Sequence, residues 1–132
     1  MGQLKLTAIL KEINSGVSYA KPNFDFEWPE AQRYPEFQDM GKVGWIKKAS
    51  EGYPVKYSEI QNVLGNVDLE FDTLDKKKQA RFQSAYKSGK IEMPIAVKFS
   101  DTDYDLVAGN TRLSGLVNNG IDPTIWVVDL SQ

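Results

Sequence analysis

Apolar positions along the chain change their period from one segment to the next, and each period predicts an element. Leu6, Ile9, Leu10 and Ile13 recur at helical spacing, and Asn14-Ser15-Gly16 ends the run, which predicts an N-terminal helix. Residues 17–35, "VSYAKPNFDFEWPEAQRYP", carry no period and read as an irregular extension. Within it Pro29 and Pro35 are each followed by Glu, the order expected where proline opens a helical turn and a carboxylate faces its positive end. Phe37, Met40, Trp45 and Ala49 then fall on one helical face that runs to Ser50-Glu51-Gly52. Gly41 and Gly44 each cost such a helix about 1 kcal/mol, so it depends on tertiary packing.

"PVKYSEIQNVLGN" predicts a short strand feeding a short helix, with Ser58 and Gln61 spaced as a capping box and Ile60, Val63 and Leu64 as its buried side. "VDLEF" (67–71) alternates like a strand. Asp72 is placed to cap a helix over about 73–88 that Gly89 closes. "MPIAVKF", "SDTD" and "YDLVAG" predict a hairpin, "NTRLSGLVNNG" a helix with Leu113, Leu116 and Val117 on its apolar side, and "PTIWVVDL" a final strand. The order predicts a small α+β domain in which a mixed sheet is packed by helices. Residues 53–132 form that domain and residues 1–52 a helical and irregular N-terminal extension to it.

Composition narrows the chemistry. At 132 residues the chain suits one domain, and its 16 basic and 18 acidic residues rule out attraction to nucleic acid by bulk charge, so any such contact needs a local patch. Cysteine and histidine are absent, which excludes disulfides, thiolate nucleophiles, zinc knuckles and Ser-His-Asp triads built from this chain alone. A general base must be Asp, Glu, Lys or Tyr. No stretch reaches the roughly 20 apolar residues of a membrane span, and "MGQLKLTAIL" lacks the apolar core of a signal peptide, so the expectation is a cytoplasmic protein with no membrane partner.

Three features carry candidate chemistry. The corner Gly109-Asn110-Thr111-Arg112 joins a strand to a helix: the helix start offers unpaired amides and the positive end of its dipole, Gly109 permits close approach, and Arg112 can fork onto phosphate oxygens. An ordinary strand-to-helix turn with a solvated arginine is the plain alternative. "KKKQARFQSAYKSGK" gathers Lys76, Lys77, Lys78, Arg81, Lys87 and Lys90 without an acid, either a nucleic-acid-binding stripe or a solvated helix face. Asp101, Asp103 and Asp105 open like a calcium loop, but Leu106 stands where glycine is needed and Arg112 where the bidentate glutamate belongs, so calcium is excluded there. Among Glu59, Asp68, Glu70 and Glu92, candidate bases or magnesium ligands, Glu59 is preferred only because it opens the short helix after "PVKY", which in this topology can lie beside the Gly109 corner. The aromatics Phe24, Phe26, Trp28, Tyr34 and Phe37 either stack on bases or fasten the extension to the core.

"PVKYSEI", a helix ending in glycine, "MPIAVKF", "YDLVAGNTRLSGL" and "TIWVVDL" together resemble the ParB/sulfiredoxin superfamily of ParB-like nuclease domains over roughly residues 53–130. "EWPEAQRYPEF" and "WIKKASEG" are similar to extensions on small stand-alone phage members, which would place the protein in a host cytoplasm. The resemblance implies that the family's G-x-x-R, here Gly109 to Arg112, binds nucleotide phosphate. Asn110 replaces the sulfiredoxin cysteine, which excludes thiol repair, and Asn110 with Thr111 departs from the G-E-R-R box of the CTP-binding partition proteins. The nearest flavour is the G-H-T-R of the family's free-serine kinases. The expectation is a domain binding nucleotide (ATP, ADP or CTP) or nucleic-acid phosphate, extending to a Mg2+-dependent phosphotransferase, NTPase or nuclease with Glu59 and Arg112 as catalytic residues. The alternative is a non-enzymatic phage accessory protein that binds DNA through Lys76, Lys77, Lys78 and Arg81, or binds a host protein.

Overall fold

The structure, a computed structural model, describes residues 17–132, so the helix expected over Leu6–Ile13 lies outside the described residues. Strand alternation sets the architecture. Along β5 (Ile95–Ser100), Ile95 and Val97 point to one face of a sheet and Ala96 to the other; along β7 (Thr124–Asp129), Trp126 and Val128 join the first face and Ile125 and Val127 the second. Both faces are therefore buried, and both strands read as nearly continuous apolar runs. The expected hairpin pairs β5 antiparallel with β6 (Asp103–Ala108), and β7 lies parallel on the other side of β5. With β2 (Tyr53–Lys56) and the two-residue β3 (Leu64–Gly65), the mixed sheet has the order β2-β7-β5-β6-β3.

Helices cover both faces. On one, α1 (Trp28–Ala31) and α2 (Pro35–Ser50) deliver Ala31, Phe37, Trp45 and Ala49 onto Ile95, Val97, Trp126 and Val128. On the other, Ile60 of α3 (Tyr57–Ile60) and Leu113 of α5 (Asn110–Asn118) meet Ala96, Leu106, Ile125 and Val127. Outside α5 lies α4 (Lys76–Ser88), whose Phe82 packs with Leu116 and Ile91. The approach is close: a Cβ on Gly115 would fall 2.4 Å from the Phe82 ring, so only glycine lets α4 sit there.

Residues 17–52 belong to this same core. β1 (Ser18–Ala20) pairs in parallel with β4 (Lys90–Glu92). Phe24 packs edge-on against Trp45, and the Trp45 Nε1–H donates to the Phe24 carbonyl at 2.8 Å. Trp126 likewise donates to the Ala49 carbonyl at 2.8 Å. Pro29 and Pro35 do open helices, as their position before Glu suggested. Phe24 and Phe37 are buried and fasten this segment, whereas Phe26 is 69% exposed.

Four local expectations are corrected. The long helix is two, broken at Gly41 (φ 75°, ψ 174°), and the break leaves Met40 off the buried face. Ser58 does not cap: Lys56 holds the N-cap position, and the Asp122 carboxylate accepts from both the Ser58 amide (2.9 Å) and hydroxyl (2.6 Å). "VDLEF" is no strand, because the Asp68 backbone pairs with the Asn110 side chain instead of a ladder, and a 3-10 turn begins at Phe71. Asp75, not Asp72, caps α4, accepting from the Lys77 and Lys78 amides.

At the end of β7, Asp129 is nearly buried. Burial alone would raise its pKa. The Ser131 hydroxyl and amide, the Tyr53 hydroxyl at 2.9 Å and the neighbouring Lys98 outweigh that and hold it below the ordinary carboxylate value. A lowered folded-state pKa contributes stability that is present above the unfolded value of about 4 and lost as pH falls through the folded one. Asp129→Asn is expected to reduce stability in denaturant melts at pH 7 and to show a smaller deficit in acid; an equal deficit at both would contradict this account of Asp129.

Candidate anion-binding cleft

The corner is built from Gly109. β6 ends at Ala108, and Gly109 takes φ 90° and ψ 25°, a left-handed conformation that turns the chain into α5 at little cost only for glycine. A Cβ there would fall 2.7 Å from Arg112 Nη2 and 2.8 Å from the Pro94 Cα. The glycine therefore serves the arginine: the Arg112 side chain folds back across Gly109, which makes G-x-x-R one local unit. The first intrahelical bond runs from the Leu113 amide to the Gly109 carbonyl (2.9 Å), and no side chain caps the helix. The amides of Asn110, Thr111 and Arg112 precede that bond and stay unpaired by helix geometry.

The side chains at the corner divide their work. Asn110 accepts from the Asp68 amide (2.8 Å) and donates to the Asp68 carbonyl (2.9 Å), so it pins the loop after β3 rather than offering its amide to a ligand. Arg112 Nη2 donates to Glu27 Oε2 at 2.8 Å, with side-chain exposures of 21% and 11%. This ion pair was not foreseen from sequence; it ties the segment before α1 to the start of α5. It stands in the wall of a cleft of about 1150 Å3 that Gly109, Asn110, Thr111 and Arg112 all line.

The opposite wall comes from α4 and β4. Lys78, Arg81, Ala85 and Ser88 face the cleft at helical spacing, and Lys90 follows on β4. Lys76 and Lys77 do not line it, so the basic run is divided: Lys78 and Arg81 belong to the cleft, and Lys76 donates back to the Asp72 carbonyl at 3.2 Å. In all, five cations line the cleft (Arg33, Lys78, Arg81, Lys90 and Arg112) against four carboxylates (Glu27, Glu30, Asp68 and Glu92). Two of the carboxylates are ion-paired, and the other two each accept one backbone amide. Glu27 holds Arg112, Glu30 holds Arg33, Glu92 accepts from the Asn23 amide and Asp68 from the Glu70 amide. Lys78, Arg81 and Lys90, by contrast, have no acidic partner within salt-bridge distance among the described residues. Beyond the two ion pairs the cleft thus holds three cations, Lys78, Arg81 and Lys90, and two carboxylates, Asp68 and Glu92.

Glu59 is not in this cleft. It lines a separate hollow of about 280 Å3 with Pro54, Val55, Lys56 and Thr124, because β2 and α3 sit at the sheet edge with β7 and β5 between them and β6. No group of three or more acidic side chains suited to a metal ion occurs among the described residues. None of their helices is long and apolar enough to cross a membrane. Lys90, from the basic run, and Phe26, from the aromatic group, complete the cleft with Arg33 and Glu27, which carry no spacing signal in the sequence; only the fold brings Glu27 to an arginine 85 positions away. Comparison with protein-family models, curated proteins and solved structures found no match to the chain.

Proposed function

We propose that this cleft binds the phosphate of a nucleotide or a nucleic acid. The observation that supports it is the meeting of the uncapped start of α5 with three cations lacking acidic partners, Lys78, Arg81 and Lys90. The resemblance to ParB/sulfiredoxin-like domains agrees, since its landmarks fall on β2 with α3, β5, the β6-to-α5 corner and β7 of one mixed sheet. Arg112, already paired with Glu27, orients the corner and keeps its remaining guanidinium donors for an anion.

The expected Mg2+ chemistry fits these residues less well. Glu59, the carboxylate meant to orient the ion, lines the other hollow, two of the cleft's own carboxylates are paired with arginines, and no group of three candidate ligands occurs among the described residues. Binding without turnover, as in the accessory-protein reading, is the function these groups favour. Calorimetry with ATP, ADP, CTP and DNA oligonucleotides, with and without Mg2+, tests both readings, and phosphate release is followed in the same samples. Lys78→Glu with Arg81→Glu should abolish binding, while Lys76→Glu with Lys77→Glu should leave most of it. Folded protein that binds none of these ligands would remove the proposal; phosphate release would restore the enzyme.

A further inference from the structure

We infer that the ligand of this cleft is a single-stranded nucleic acid, its phosphates on Lys78, Arg81 and Lys90 and a base stacked on Phe26. The inference rests on the phosphate-binding reading and adds the substrate class. Phe26 lines the cleft and is 69% exposed, although Phe24, two residues earlier, is buried. Its backbone is nonetheless held: the Phe26 amide donates to Asn23 Oδ1 at 3.0 Å, and its neighbour Glu27 is held by Arg112 at 2.8 Å. A large ring kept in water at the cleft wall by an anchored backbone is available as a stacking platform. Base-on-aromatic stacking is tolerant of sequence and accompanies cationic grooves that track a single strand.

Size and charge favour a strand over a mononucleotide. At about 1150 Å3 the cleft exceeds the roughly 300–1,000 Å3 usual for small-molecule sites. Its unpaired cations come from two elements, Lys78 and Arg81 from α4 and Lys90 from β4. A duplex keeps its bases stacked inside and would leave Phe26 without a partner. The chain's net charge of −2 supplies no general attraction, so affinity has to come from these few groups and should fall steeply with salt.

The test is fluorescence anisotropy of the full chain with a labelled oligothymidine of about 12 nucleotides, beside its duplex and beside CTP and ATP as competitors. The single strand should bind at least about tenfold more tightly than the duplex and weaken as salt rises. Phe26→Ala should cost at least about fivefold, as loss of one stacked base does, and Phe26→Trp should restore it. Because Phe26 is exposed, neither variant should disturb folding, which circular dichroism checks. Equal or tighter duplex binding, or an unaffected Phe26→Ala, would overturn the inference. Mononucleotide binding without oligonucleotide binding would overturn it and leave the phosphate reading standing; silence from both would remove both.

Discussion

Arg112→Ala is expected to lower the unfolding free energy by about 3 kcal/mol, the low end for removing one partner of a buried ion pair. The cause is the carboxylate left behind: Glu27 has 11% side-chain exposure and a single salt-bridge partner among the described residues. Arg112 is 21% exposed, so water relieves part of the penalty. Glu27→Gln should cost less, about 1 kcal/mol, because a neutral amide oxygen still accepts from the guanidinium. Combining Glu27→Gln with Arg112→Ala should therefore destabilise by less than the sum of the single changes. Urea unfolding of the four proteins reads this directly. Additive losses, or an unchanged Arg112→Ala, would mean that the pair contributes nothing to the corner.

Trp45→Ala should be more damaging still, at about 4 kcal/mol. Trp45 has no solvent exposure, contacts the rings of Phe24 and Phe37, and satisfies the Phe24 carbonyl through Nε1. Truncation removes the central filler between α2 and the sheet and orphans a carbonyl at once. For a domain whose net stability is on the order of 5–15 kcal/mol, that is a large share. Trp45 precedes residue 52 while Ile95, Val97 and Trp126 follow it, so the loss should appear as one cooperative transition. Coincident melts by far-ultraviolet circular dichroism and by fluorescence would confirm this. Two separated transitions would mean that residues 17–52 form an independent unit.

How much of this was legible in the sequence follows the range of the forces involved. The β5–β6 hairpin, α5 and β7 were readable because alternation, Gly109 and the apolar side of "NTRLSGLV" are local signals that agree with one another. Cap choice was not: Asp72 and Asp75 are both competent, and the 3-10 turn over Phe71–Thr73 takes the first. "VDLEF" has the pattern of a strand but finds the side chain of Asn110 in place of a neighbouring strand. The corner motif was visible, yet its meaning changed on folding. Asn110 became a clamp and Arg112 gained Glu27, a partner with no periodic relation to it. The basic run was plain in composition, but only the rotation of α4 about Phe82 and Gly115 decides that Lys78 and Arg81 face the cleft.

The measurement that bears most directly on the central claim is a nitrogen-15 NMR titration of the protein with single-stranded oligothymidine and, separately, with CTP. The account predicts that the amides of Asn110, Thr111 and Arg112 and the guanidinium of Arg81 shift along one saturating curve for at least one of the two ligands. Saturating shifts confined to other surfaces, or a corner that stays silent through both titrations, would contradict it.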